Sequence, residues 1–374
     1  MKDYVAMLHD DWSVLERFFP EGWREKAKEL GALQRFRAFP DVDGLLRTLL
    51  IHVVEGHSFR DTAVRASSWG CIAVSDVAIF KRLRAAGPWL RWMAEAVMKR
   101  WVKPECWRFL GEGLHARVVD GTTVQEPGSK GISWRVHYSI ELPSLTCTEV
   151  HVTRSQVGES FKRFEVSPGD VLIGDRGYAH APGIAHVMLS GGDVIVRVNL
   201  TNIPFRDANG RHFPLLESLR SLGAGNVGDW DVWVPYERGL IPSRICAVKL
   251  NRASQEKAVR RSWRNNRKKG MVKPETLEAA RYIMVLTTLD RSIPAQTILE
   301  CFRARWQIEL VFKRLKSLLS LGYLRKKDSE SAHAWIYAKL FVAFLIEAII
   351  RAARDFSPWG YPLKAERCPQ ERPG

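Results

Sequence analysis

The stretch HARVVDGTT, residues 115–123, is a β-branched run that ends on a carboxylate, Asp120, followed at once by Gly121. An apolar strand of this kind delivers its last polar side chain to the strand end, where Asp-Gly turns the chain. Two further runs, SWRVHYSIEL (133–142) and CTEVHVT (147–153), follow across short polar breaks and predict a three-strand meander. Beyond a short helical stretch, GESFKRFEV (158–166), come the strand VLIGD (171–175), a helix in APGIAHVMLS (181–190) and the strand DVIVRVN (193–199). Strands that give way to strand–helix alternation predict an α/β fold with a sheet of mixed direction.

Working outward, residues 1–105 read as helical, with apolar positions at helical spacing in DGLLRTLLIHVVEG (43–56) and WLRWMAEAVMKRW (89–101). Between them, Ser58 and Ser75 are placed to cap two short helices, the second carrying Lys81, Arg82 and Arg84. A basic second helix suggests a helix-turn-helix that enters the major groove. The stretch from Ser67 to Val74 is longer than the usual turn, so a plain bundle with a solvated basic face is equally open. Residues 200–280 hold Pro204, Pro214, Pro235 and Pro242 and the strand candidates DVWVPYE and SRICAVKL, and read as a mostly β insertion. Its later part, residues 251–270, carries eight Lys and Arg, Lys268 and Lys269 among them, against one Glu. Such a run is either a solvated linker or a track for a phosphate backbone. After the strand RYIMVLTTL, Pro294 opens one long helix to about residue 320, and a second spans about 331–355. The expected organisation is a helical DNA-binding domain over 1–105, a catalytic domain in two halves over 106–199 and 281–360, the insertion over 200–280, and a loose tail over 361–374.

The chain has 374 residues, with 57 Lys and Arg against 41 Asp and Glu, a formal net charge of +16. That balance calls for a polyanionic partner, nucleic acid or an anionic membrane surface. The best spanning candidate, Trp335 to Ile350, is interrupted by Lys339 and Glu347, and the N-terminal stretch MKDYVAMLHDDW has no apolar signal core. No membrane role is expected. Six scattered cysteines without a CxxC pair suit reduced thiols in a cytosol. Double-stranded DNA is the expected partner.

Three acids stand out. Asp120 and Asp175 each end an apolar strand, and Glu309 sits in CFRARWQIELVFKRLK. Taken singly each has a plain explanation: a turn aspartate, a second strand-end aspartate, a salt-bridged stripe. On one continuous helix Phe302, Arg305, Glu309 and Lys316 fall at roughly 0°, 300°, 340° and 320°, within one sector of about 60°. Together the acids offer oxygen ligands for hard divalent cations. Two such ions about 3.5–4 Å apart stabilise the attacking and leaving oxygens of a phosphodiester displacement. His137 and His151 lie on candidate strands and read as packed residues, and there is no Walker loop, GxGxxG or GxSxG elbow.

VVDGTT, VLIGDRGY and F-x2-R-x3-E-x6-K, in this order, resemble the three signature blocks of bacterial DDE transposases, specifically the type-four insertion-sequence family with its Tyr-Arg-Glu-Lys signature. The resemblance implies a ribonuclease H-like fold with an insertion before the last acid. It implies Asp120, Asp175 and Glu309 as the metal-binding triad for two Mg²⁺, with Mn²⁺ substituting, and Arg305, Lys316, Arg197 and Phe302 as DNA contacts. Phe302 stands where the family has tyrosine, keeping the ring and losing the phenol. Some members stack a flipped base on an aromatic of the insertion, and no local motif chooses among Trp230, Trp233, Trp263 and Tyr282. The implied activity is cutting of element ends and joining of the freed 3′-hydroxyls to target DNA by a DNA-bound homodimer in the bacterial cytoplasm, at the nucleoid. The rivals are a nuclease of the same fold that does not join, and a former transposase that binds DNA without chemistry.

Overall fold

The computed structural model describes residues 12–35, 37–68, 70, 72–101, 110–129, 131, 133–142, 144–267 and 272–354. The chain divides into two compact units, a helical one drawn from residues up to 102, 124–133 and 314 onward, and a sheet unit drawn from 103–123 and 134–313.

The helical unit contains α1 (Trp23–Glu29), α2 (Val42–Val54), α3 (Phe59–Ser68), α4 (Asp76–Ala85), α5 (Gly87–Trp101) and a last helix, α12 (Ser329–Arg354). The expected serine caps form. Ser58 Oγ accepts from the Asp61 N–H at 3.1 Å and Ser75 Oγ from the Ala78 N–H at 3.2 Å. On α4, Lys81 is exposed, while Arg82 donates to the Ala32 carbonyl at 3.3 Å and Arg84 to Glu330 at 2.8 Å. By length and composition α12 is apolar enough to cross a membrane. It is instead the core helix of this unit, packed on α2, α4 and α5, with Phe341 and Phe19 ring centroids 5.5 Å apart. Its buried Lys339 is held by the Leu319 carbonyl.

In the sheet unit, β1 (His115–Val124), β2 (Trp134–Glu141), β3 (Cys147–Arg154), β4 (Asp170–Gly174), β5 (Asp193–Arg197), β6 (Val227–Tyr236), β7 (Gly239–Lys249) and β8 (Tyr282–Thr287) form one eight-stranded sheet. Their order is β3-β2-β1-β4-β5-β8-β7-β6. β1, β4 and β5 run parallel, and β8, β7 and β6 continue the sheet antiparallel. This mixed α/β sheet fits the ribonuclease H-like arrangement. Every residue of β4 is buried, as expected of a central parallel strand covered on both faces. Phe161, Phe164 and α6 (Ala181–Leu189) pack against Val119, Leu172, Val194 and Val196.

The parallel registers fix the key geometry. His115–Val118 pair with Asp170–Ile173, and Val171–Gly174 with Asp193–Val196. Carrying both registers forward sets Asp120, Asp175 and Arg197 abreast, on neighbouring strands about 4.8 Å apart. The ends of parallel strands are where α/β sheets hold their ligands.

Two expectations are corrected. Residues 200–280 are not mostly β. They hold α7 (Leu215–Arg220), α8 (Arg252–Arg267) and α9 (Pro274–Ala279) beside β6 and β7, and these two strands extend the main sheet beyond β8. The basic run is helix α8 up to Arg267, begun by Asn251 accepting from the Ser254 N–H at 2.9 Å and braced by Glu256 between Arg252 and Arg260. Lys268 and Lys269 lie outside the described residues. After Pro294 there are two helices, α10 (Ala295–Ala304) and α11 (Trp306–Leu318), instead of one. At the break the Arg305 N–H bonds to the Phe302 carbonyl and the Ile308 N–H to that of Arg305, a tightening to three-residue spacing.

Candidate active site

The break at Arg305 aims its guanidinium at the strand ends. Nη1 lies 3.3 Å from Asp120 Oδ2 and Nη2 lies 2.5 Å from Glu309 Oε1. Glu309, on the first turn of α11, is thereby tied through Arg305 to Asp120 in the middle of β1, which runs on to Val124, so the turn expected at Asp120-Gly121 does not form. Asp175 starts a single helical turn, Arg176–Tyr178, and its Oδ1 accepts from the Gly177 N–H at 2.7 Å. Asp120 accepts from the Gly121 N–H at 2.7 Å. Burial, then the charges of Asp175 and Glu159, push the Asp120 carboxyl up to about 7, against the opposing pull of Gly121 and Arg305.

Asp120, Asp175, Glu309, Arg305 and Arg197 all line one cavity of about 860 Å³. Its far wall is α8, which presents Ser254, Lys257, Ala258, Arg261, Ser262 and Asn265. That spacing of three, four, seven, eight and eleven residues is a single helix face. Trp263 falls about 180° from Ser254 on the same wheel and points away. Of the four aromatics considered for base stacking, Tyr282 lines the cavity, though its ring is buried. Burial, then the crowding of Arg176, Arg305 and Arg261, lowers Arg197 to about 10, still cationic at neutral pH. Four arginines gathered over a strand edge are arranged to receive anions.

Phe302 is not among the residues that line this cavity. Its ring is buried, with the Arg305 guanidinium 5.9 Å from the ring centre. Lys316 is exposed near the end of α11, beside Gly322. Lys81 and Arg82 belong to the helical unit. The histidines are packed residues. His137 is buried, which lowers it to about 3, and pairs with Thr153 at 2.9 Å, while His151 pairs with Glu149 at 2.6 Å.

Glu159 is the acid that sequence reasoning passed over. It precedes the single turn Phe161–Arg163 and lies near Asp175, and burial followed by the Asp175 charge raises its carboxyl. Beside it the fully buried Tyr178 hydroxyl has no hydrogen-bond partner among the described residues, and burial and the charges of Asp120, Glu159 and Asp175 raise it. Among the described residues no three His, Cys, Asp or Glu side chains converge on a common ligand point, and Arg305 lies between Asp120 and Glu309. The donor set itself, carboxylate oxygens around an unsatisfied buried hydroxyl, suits a hard divalent cation.

Two aspartates of neighbouring parallel strands and a helix glutamate thus share one cavity with a cluster of arginines. Residues 113–345 match the family described as Transposase DDE domain. InsL for insertion sequence element IS186A of Escherichia coli (strain K12) is 36% identical over 361 residues, covering 94% of this chain and 96% of that one. The transposase for insertion sequence element IS421 of Escherichia coli is 35% identical with the same coverage. The transposase for insertion sequence element IS231F of Bacillus thuringiensis subsp. israelensis is 24% identical over 50% of this chain and 43% of its own. The chain belongs to the DDE transposase family of bacterial insertion sequences, metal-dependent polynucleotidyl transferases that act on DNA.

Proposed function

We propose that this transposase cuts at the ends of its own element and joins the freed 3′-hydroxyls to target DNA, with Asp120, Asp175 and Glu309 as the cation-holding acids. The observation that carries the reading is the alignment of Asp120, Asp175 and Arg197 across three parallel strands, with Glu309 in the same cavity. A bound pair of Mg²⁺ or Mn²⁺ ions supplies neutralisation of the phosphate and polarisation of its oxygens. The chain's own residues do the positioning. Arg197, Arg176 and Arg261 hold phosphates of the strand being cut, and Lys257 and Asn265 guide that strand along the small-residue face of α8, where Ser254, Ala258 and Ser262 leave room. Arg305 pairs with Asp120 and Glu309, and would be free to hold a phosphate if cations took its place between the acids. Lys316, Lys268 and Lys269 supply further phosphate contacts, and Lys81 and Arg82 on α4 contact the duplex ends as part of a helical DNA-binding domain. Phe302 supports Arg305 by packing rather than touching DNA. The working unit is a homodimer on two double-stranded ends, acting on nucleoid DNA in the cytoplasm.

Product analysis separates this from a nuclease of the same fold. Purified chain, a labelled DNA end of the element, a supercoiled plasmid and Mg²⁺ should yield end DNA covalently joined to plasmid. Nicked plasmid and free ends alone would refute the transfer step.

A further inference from the structure

We propose that Glu159 is a fourth carboxylate of the cation site, binding on the Asp175 side. This rests on the reading of Asp120, Asp175 and Glu309 as cation-holding acids, and adds to it a residue from outside the three signature blocks. Gly121 and Gly177 follow Asp120 and Asp175 by one and two residues, and neither has a positive φ, so their backbone would accept any side chain. A side chain at either position would have to displace the Glu159 carboxylate. A Cβ at Gly121 would stand 2.9 Å from its Oε1, and a Cβ at Gly177 would stand 2.3 Å from its Oε2. Asp175 Oδ1 lies 3.0 Å from that second point, which holds the two carboxylate oxygens within 5.3 Å of each other. One carboxylate thus spans the turns that follow both aspartates.

Its position is held firmly. Ser160 caps the turn after it, Phe161 packs on Tyr178 with centroids 5.1 Å apart, and the Glu159 carbonyl pairs with His180 at 3.3 Å. Its charge, in contrast, is poorly compensated. Arg135 Nε is 3.9 Å from Oε1, beyond hydrogen-bond reach, and Arg305 is engaged by Asp120 and Glu309. Half-buried like charges so arranged call for a counterion. The Tyr178 hydroxyl is an independent sign of the same kind. It is fully buried, lies in the field of Asp120, Glu159 and Asp175, and has no hydrogen-bond partner among the described residues. An unpartnered buried hydroxyl calls for a further group, and its oxygen lone pairs can face a cation or a water that the cation carries.

The test is Mn²⁺ binding to the full-length chain without DNA, read by the electron paramagnetic resonance signal of free Mn²⁺, for wild type, Glu159→Gln, Glu159→Asp and Asp175→Asn. Unfolding in EDTA is measured in parallel. Glu159→Gln should weaken Mn²⁺ binding at least tenfold while unfolding no earlier than wild type in EDTA, and Glu159→Asp should recover part of the affinity. If Asp175→Asn loses Mn²⁺ but Glu159→Gln binds as wild type does, Glu159 is not a ligand and the triad stands. Earlier unfolding of Glu159→Gln with unchanged affinity assigns it to supporting Arg135 and also overturns the proposal. Wild-type affinity in Asp175→Asn, or no Mn²⁺ binding by wild type, overturns the underlying site as well.

Discussion

Replacing Asp120 with Asn should stabilise the cation-free protein, and by more at pH 8 than at pH 5. The folded chain raises this carboxyl to about 7, whereas an unfolded chain leaves it near the ordinary ~3.9. A folded pKa above the unfolded one means that the native state holds a proton which the unfolded state has released. The stability associated with it is therefore complete below about pH 4 and falls away as pH rises to about 7. A separation of about three pH units corresponds to about 4 kcal/mol at full ionisation. Asn keeps an acceptor for the Gly121 N–H but loses the attraction of Arg305 at 3.3 Å, which still has Glu309 at 2.5 Å. The net advantage of the variant should then grow by about 1–3 kcal/mol between pH 5 and pH 8 and level off above. Urea unfolding in EDTA at pH 5, 6, 7 and 8, followed by circular dichroism, reads this directly. A difference that does not change with pH, or that reverses sign at pH 8, would refute the argument that Asp120 is a buried, like-charge-crowded acid.

Lys257→Ala with Arg261→Ala should weaken binding to element-end DNA and lower the log–log salt slope by about 0.9 for each phosphate no longer neutralised, and an unchanged slope in a salt titration would remove α8 from the DNA path. Phe302→Ala should cost about 3 kcal/mol of stability in chemical denaturation, the effect of emptying a buried aromatic site, while folded protein keeps its DNA affinity. Ser75→Ala should cost about 1 kcal/mol through loss of the α4 cap, and no change in the unfolding midpoint would deny that cap its role.

The strands and the first two acids were legible because β-branched runs carrying Asp-Gly and Gly-Asp leave little choice of structure, although β1 runs on past Asp120 to Val124 where the sequence predicts a turn. Their alignment was not, because the parallel register between β1 and β4 is set by packing across 55 residues of sequence. The glutamate helix was legible as helix but not as two helices. Nothing in ECFRARWQIE breaks a helix by composition, and the interruption coincides with Arg305 reaching across to Asp120, far away in sequence. The wheel did place Arg305 with Glu309 and beside Phe302, as the ion pair and the ring contact have it, but it could not show that the Phe302 ring is buried. Helix α8 escaped because its pattern is charged throughout and has no apolar stripe, so it resembled a linker. Glu159 escaped for a different reason. It lies on an irregular approach to a single turn, and only the two glycines it crosses, one distant at 121 and one close to Asp175 at 177, mark its place.

The most direct test of the central claim uses DNA carrying this gene with its natural flanks, purified protein and Mg²⁺, with new 3′-hydroxyl ends mapped at nucleotide resolution for wild type and Glu309→Gln. Wild type should produce paired breaks at the two element ends. Glu309→Gln should bind the same ends within about twofold and produce none, since a neutral amide of the same size keeps the fold but not the ligand charge. Breaks by Glu309→Gln at the wild-type rate would contradict the assignment of Asp120, Asp175 and Glu309 as the acids that carry the reaction.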